Sequence, residues 1–359
     1  MKSLNLRQFR WIIMLSVITL KLMILPSLIY QDCKSATWFV FLLMFVFETS
    51  YLVIFMAISV KNPDMTFKDM LEKMFGVVVA KVILCLYLLF FMLKATIIYY
   101  ANYTFLIQNL YGSLEWYFYI FPMAFVAGYV ALCGLRTVGR MTEFFFPVIM
   151  FGAVVAIIMG VTGADFSNIL PLLDGFKISS ITPIYKYALW FGDAVVFLLL
   201  MGHIDYKEKP ILKTFLSMAI IALFVCFFIV LFMSIFGSSS IIHNNAICDV
   251  VQVLPADSDI GNLGWILILV WDMALFIYFS IMITTSLETF RGIFTKKLPW
   301  LSVCIILSVI SGAMLIIGFD ISRAVNFFMD ICCLPAIALQ YVLPLIFLIF
   351  TFRLKEKKQ

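Results

Sequence analysis

A run of apolar residues from Ile181 to His203 is interrupted halfway along by Gly192 and Asp193. As a helix rising about 1.5 Å per residue, the run is long enough to cross a bilayer. Glycine at that depth weakens the helix, and a carboxylate there costs roughly 2.5–3.5 kcal/mol on insertion scales. Backbone that leaves helical geometry inside a membrane is tolerated only where it is buried in protein or lines a polar cavity. A break with an acid at its midpoint therefore points to a binding site. The plainer alternative is a glycine for close packing, followed by an Asp paired to a neighbour.

The rest of the chain agrees with a membrane setting. Hydrophobic residues make up 64% of the 359 and charged residues 13%. That balance fits an all-α, polytopic membrane protein with short loops, a single domain over residues 1–359. The net charge of +5 is spread over loops and does not form a basic face, so nucleic acid is not an expected partner. The apolar run near Trp11 exceeds a secretory core and is followed by no small-residue cleavage site, so it reads as a retained first span. His203 and His243 lack metal-ligand spacing, and most of the eight cysteines lie in or beside apolar runs. Cys33 and Cys248 fall in loops and could meet. No phosphate loop, nucleophile elbow or catalytic carboxylate pair is present, so neither enzyme activity, metal nor cofactor is expected.

Apolar windows give ten transmembrane helices, at about 9–30, 37–60, 76–109, 115–133, 141–163, 181–203, 211–236, 260–287, 298–318 and 325–352. The basic residues test the count. With alternating loops and an inner N-terminus, eighteen lysines and arginines fall inside and four (Lys34, Lys177, Lys186 and Arg323) outside. That asymmetry places both termini in the cytoplasm. Ten spans divide into a 5+5 inverted repeat, about residues 9–163 and 181–352, because an odd number per half reverses the second half. The first spans of the halves then correspond. Span 1 carries Lys21 and Pro26 and span 6 carries Gly192 and Asp193, and matched interruptions in helices 1 and 6 mark a midplane site.

Lys21, Glu48, Lys94, Asp193 and Asp272 lie near the midpoints of their spans. Two cations and three anions at one depth nearly neutralise one another, the least costly way to hold them in hydrocarbon. They are candidates for a charge network that couples to a proton or ion. Each also has a structural alternative: Lys21 as a salt bridge to Asp193 or Glu48, Lys94 likewise, and Glu48 with Thr49 and Ser50 as a packing cluster. Spacing leaves the pairing open. Tyr99, Tyr100, Asn102 and Tyr103 put polar edges on span 3, which is then expected to line a wet cavity. Tyr99, Tyr103 and Trp271 are candidate ligand-binding residues beside the Gly192-Asp193 break.

The opening Leu4-Asn5-Leu6-Arg7-Gln8-Phe9, with Pro26, Asp32 and Trp38 after it, resembles the start of the spore germination permeases, the B subunits of nutrient germinant receptors. The stretch from Gly134 to Pro147, with Arg136, Arg140 and Glu143, is similar to that family's signature entering span 5. The chain lacks the glycine that the family usually carries before Pro26. The resemblance implies an amino acid/polyamine/organocation transporter fold, with the ligand between spans 1, 3, 6 and 8. It implies the inner membrane of a bacterial spore, a small nutrient ligand such as an amino acid, and two partners, a larger A subunit and a lipoprotein C subunit. By position the resemblance turns Leu20, Lys21, Phe191, Gly192 and Asp193 toward the ligand; Arg140 and Glu143 would be structural, and the Lys21 ammonium would stand where sodium-driven relatives hold a coupling cation. Three functions follow as expectations: a sensor, a proton-coupled amino-acid transporter using Asp193 or Asp272, or an ion or water channel subunit.

Overall fold

The computed structural model describes residues 4–109, 115–172, 184–206, 209–253, 263–294, 299–318, 323 and 326–356. Lys2, Lys177, Lys207, Lys296, Lys297, Lys357 and Lys358 of the charge count lie outside them. The chain is helical almost throughout. In order come α1 (Leu6–Ile18), α2 (Leu25–Cys33), α3 (Thr37–Lys61), α4 (Phe67–Phe75), α5 (Val77–Asn109), α6 (Trp116–Cys133) and α7 (Leu135–Val161). Then follow α8 (Ile184–Tyr187), α9 (Val196–Leu200), α10 (Pro210–Phe236), α11 (Ala246–Val251), α12 (Leu263–Ile293), α13 (Pro299–Ile317), α14 (Cys333–Ile337) and α15 (Leu343–Glu356).

Among the described residues, six stretches are long and apolar enough to cross a membrane: Leu25–Lys61, Val77–Asn109, Leu135–Val161, Pro210–Ile242, Gly264–Ile293 and Pro299–Ile317. The first joins α2 and α3, which Lys34 separates at φ 45°. Ile120–Cys133 and Cys333–Ile349 are shorter apolar helices. Phe47, Val78, Phe125, Phe144, Leu223 and Ile316 point outward from these helices, the pattern of a bundle solvated by lipid.

The first apolar run is two helices, not one. Between α1 and α2, Thr19 to Ile24 leave the helix, with Pro26 at the start of α2. Proline has no N–H, so the carbonyl four residues back, that of Leu22, loses its helical donor. That carbonyl instead accepts the backbone N–H of Ile247 at 3.1 Å, and the Met23 carbonyl accepts that of Ala246 at 3.1 Å. Proline and an outside donor thus open span 1 with no glycine before the proline. The Thr19 hydroxyl, 2.7 Å from the Leu15 carbonyl, closes the last turn of α1.

The run beginning at Ile184 breaks from Ala188 to Gly192 and resumes as a 3₁₀ turn, Asp193–Val195, leading into α9. Gly192 sits at φ 114°, a conformation that L side chains rarely adopt.

One end of the bundle carries most of the basic side chains and is tied by the N-terminus. Leu4–Asn5 (β1) pairs in parallel with Ile204–Asp205 (β2), with Leu4 N–H donating to the His203 carbonyl at 3.0 Å. Asn5 caps α1 in a capping box with Gln8, and Gln8 reaches Glu143 Oε2 at 2.9 Å. Arg7 also pairs with Glu143. Gly139 leaves room for Leu4, since a Cβ there would lie 2.5 Å from its Cδ2. Glu143 therefore stitches α7 to α1. The connector after α3 forms the amphipathic helix α4, capped by Thr66 and Asp69. At the opposite end, Cys33 and Cys248 are both buried as thiols, with no disulfide between them.

Candidate functional site

The two breaks meet. Lys21 extends from the open turn between α1 and α2, and its Nζ lies 2.8 Å from Asp193 Oδ2 and 3.2 Å from Glu48 Oε2. Lys94 on α5 places its Nζ 3.0 Å from Asp193 Oδ1 and donates to the Leu189 carbonyl at 2.5 Å. Tyr278 on α12 donates its hydroxyl to Asp193 Oδ1 at 2.5 Å. Two ammonium groups and two carboxylates, each at most 2% exposed, thus form one quartet of zero net charge. Burying any one of the four alone would carry a penalty of several kcal/mol. The phenyl faces add to the cage, with the Lys21 ammonium 4.9 Å from the Phe191 ring centre and 5.7 Å from that of Phe45.

Glu48 does more than neutralise charge. Its Oε1 accepts the backbone N–H groups of Gly192 at 3.0 Å and Ala194 at 3.2 Å, two donors that the break leaves without helical partners. It is the carboxylate cap of the inner half of the broken helix, where the helix dipole favours an anion. The sequence suggested packing with Thr49 and Ser50 instead.

The carbonyls of the break are held from a third side. Ala338–Val342 form a π-turn between α14 and α15. From it Gln340 donates to the Leu189 carbonyl at 3.1 Å, and Tyr341 donates its hydroxyl to the Phe191 carbonyl at 3.0 Å. The Tyr87 hydroxyl, on α5, takes the Leu339 carbonyl at 3.0 Å. A Cβ on Gly192 would lie 2.7 Å from Gln340 Cδ, so glycine is required there by both space and backbone.

Of the other expected site residues, Leu20 lies in the break itself and the rest lie away from the quartet. Leu20 is buried in the break, its carbonyl accepting from Met23 and Ile24. Asp272 stands apart from the quartet and accepts from Asn102 Nδ2 at 2.6 Å. Tyr99 donates to the Ile120 carbonyl at 2.7 Å and stacks on Phe279, which fastens α5 to α6. Tyr103 is buried with its ring 6.4 Å from that of Tyr100. Trp271 is buried against Gly152, Ala153 and Val251, on the side of α12 toward α7 and α11.

Beside the breaks, toward the end away from the N-terminal tether, lies a pocket of about 40 Å³. Ile24, Ala101, Trp190, Asn245 and Phe328 are among its walls. Trp190 is 3% exposed and its indole N–H has no partner, a buried donor that a bound acceptor would satisfy. The short helix α11 closes this end. Besides the Ala246 and Ile247 N–H bonds to the span 1 break, Asn245 Nδ2 donates to Gln108 Oε1, and Gln252 Nε2 reaches Asn109 Oδ1 at 3.3 Å. Its Asp249 lies 3.4 Å from His243 Nδ1, and burial holds the Asp249 carboxyl above the usual carboxylate range against the opposing pull of His243.

Trp190, Tyr278, Gln340 and Tyr341 were not singled out from the sequence. Gln340 had a usable signal: an uncharged amide inside an apolar run requires partners at that depth. The aromatic residues had none, because spans 6, 8 and 10 are full of apolar and aromatic side chains. Among the described residues, no group of three or more His, Cys, Asp or Glu is placed to hold a metal ion.

Residues 3–323 match a protein family described as spore germination protein. Among solved structures, that of MhsT in complex with L-phenylalanine is similar, with a TM-score of 0.61 and 12% sequence identity. The alignment covers 96% of this chain and 97% of that one. At that identity the likeness bears on the fold alone. No curated protein matches the chain.

Proposed function

The chain belongs to the spore germination protein family and is an integral membrane protein of LeuT-like, amino acid/polyamine/organocation superfamily fold, and from that premise we propose that it is the permease-like subunit of a spore nutrient germinant receptor. In this reading it binds a small nutrient, an amino acid in the first instance, beside the two helix breaks. Its ten spans are arranged as a 5+5 inverted repeat, with both termini and the basic end in the cytoplasm. It sits in the inner spore membrane beside an A subunit and a lipoprotein C subunit.

One observation carries the reading: Lys21 and Asp193, from the two broken helices, meet at 2.8 Å beside a pocket that contains a donor with no partner. A ligand that accepts from Trp190 and touches both breaks would bind one arrangement of these helices better than another. That difference in affinity is what a sensor needs to shift its equilibrium. The fixed ammonium groups of Lys21 and Lys94 supply from within the chain the positive charge that a coupling ion would bring. Binding can then occur with no ion to carry.

A specific observation favours the second reading, a proton-coupled transporter. Asp272 lies outside the neutral quartet and is bonded to the uncharged Asn102. An acid in that position could load and release a proton with the solute.

The two are separated by reconstituting the purified protein in liposomes with a pH gradient and labelled L-alanine. Saturable binding without uptake supports the receptor. Uptake that follows the gradient supports the transporter, and absence of binding to a panel of single amino acids, sugars and nucleosides would count against both.

A further inference from the structure

A cavity larger than the one beside the helix breaks opens elsewhere in the bundle. It has a volume of about 250 Å³ and lies at the basic end of the bundle, between the first turn of α4, the start of α5, the end of α9 and the last turn of α12. That approaches the roughly 300–1,000 Å³ of ordinary small-molecule sites. Its floor is apolar, with Phe67, Leu84 and Leu199. Its rim carries Lys68, His203, Glu288 and Arg291.

Three of those four rim groups are bases. The one acid is engaged: Glu288 Oε1 accepts from Arg291 Nη1 at 2.8 Å, one turn away on α12. A guanidinium has five N–H donors, so this contact leaves others available. Lys68 leans toward Glu72 at 3.7 Å, four residues along α4. Both pairs are partly exposed and three or four residues apart, a class worth only a few tenths of a kcal/mol. An incoming anion can displace them at little cost. Phe67 and Lys68 are also the first two helical residues of α4, whose N-terminus favours negative charge.

The place of the cavity gives it a route to the breaks. His203 is three residues from the end of α9, and its carbonyl holds the N-terminal strand. Gly202, at φ 80°, is pressed against the cap of α4, where an added Cβ would meet Thr66 N at 3.0 Å. An occupant touching α4, His203 and α12 together would fix the inner end of the helix that bears Asp193.

The geometry points to a second ligand site at the basic end, which takes a small carboxylate- or phosphate-bearing anion between Lys68 and Arg291. The anion can come from solution or from the headgroup of an acidic lipid, since both present the same oxygens to the same cations. This site is independent of the nutrient reading and uses none of its residues.

The test uses the full chain. In detergent, inorganic phosphate and succinate are titrated against its thermal midpoint, with sodium chloride at matched ionic strength as the reference. In parallel the chain is placed in phosphatidylcholine nanodiscs with and without phosphatidylglycerol. A saturable rise with phosphate or succinate is expected, with affinity reduced at least about tenfold in Lys68→Gln and in Arg291→Gln and unchanged in Lys73→Gln. A rise only with phosphatidylglycerol, lost in the same two variants, supports the site with a lipid as its occupant. No rise beyond sodium chloride in either arm overturns the inference. So does a rise that both Lys68→Gln and Arg291→Gln retain. Two rim variants are used so that a folding failure in one leaves the other to decide.

Discussion

Lys21 Nζ and Asp193 Oδ2 lie 2.8 Å apart although 172 residues separate them in the chain, and each comes from a helix that is broken where they meet. Glu48 and Lys94 complete a neutral set around this contact. Removing one cation leaves an uncompensated carboxylate in a closed site, a change that costs about 3–5 kcal/mol. Lys21→Met is therefore expected to lower the thermal midpoint of the purified protein sharply. Lys21→Met combined with Glu48→Gln restores neutrality and should be more stable than the single variant. A single variant as stable as the parent would show that the four groups do not act as a set.

Gly192 and Gln340 constrain each other. Gly192→Ala places a methyl into the Gln340 side chain and forces a non-glycine residue to φ 114°. Gln340→Ala should relieve the clash but not the backbone strain, which is of order 1–3 kcal/mol. The double variant is expected to recover part of the midpoint lost in Gly192→Ala. Full recovery would mean that the backbone is not strained there.

Tyr278→Phe removes one hydrogen bond from Asp193 and leaves the ring in place. Hydrogen bonds to charged groups are worth about 1.5–3 kcal/mol. A midpoint decrease of that order is expected, together with a weaker nutrient response. Urea or thermal unfolding in detergent, followed on both proteins, measures the first part.

Asp249 gives the outer helix α11 a pH dependence. Burial raises its carboxyl above the usual range, so folding favours its protonated form. The contribution is present in full below the unfolded value of about 3.9 and is lost as pH rises through the folded one. The stability of the parent relative to Asp249→Asn should therefore fall as pH is raised from about 4 toward neutrality. A difference that stays flat, measured as paired thermal midpoints across that range, would place the Asp249 carboxyl in water.

The broken helices were legible because their signals are local: a proline in one apolar run, Gly192-Asp193 in another, and a charge on each. That Lys21 meets Asp193 was one of several pairings that neutrality allowed, and only the packing of the breaks selects it. The charge of Glu48 makes it a candidate for the network, with packing against Thr49 and Ser50 as the alternative; its bonds to the backbone N–H groups of Gly192 and Ala194 are announced by no side-chain pattern. Tyr99 and Trp271, both candidates for the ligand, lie against α6 and α11 in the fold, since rotation of a long helix about its axis is set by neighbours that the sequence does not name. The π-turn at Ala338–Val342 was invisible for a similar reason: one extra residue in a helical turn leaves the apolar pattern nearly unchanged.

The most direct test is equilibrium binding of labelled single amino acids to the full chain in lipid nanodiscs, comparing the parent with Asp193→Asn and Glu143→Gln. Glu143 stitches the N-terminus to α7 far from the breaks, so it serves as the matched control for a lost carboxylate. Saturable binding that survives in Glu143→Gln and weakens about tenfold or more in Asp193→Asn is the predicted result. Equal affinity in the two variants at matched folding, or no saturable binding to the parent by any amino acid tried, would contradict a nutrient site at the meeting of the two broken helices.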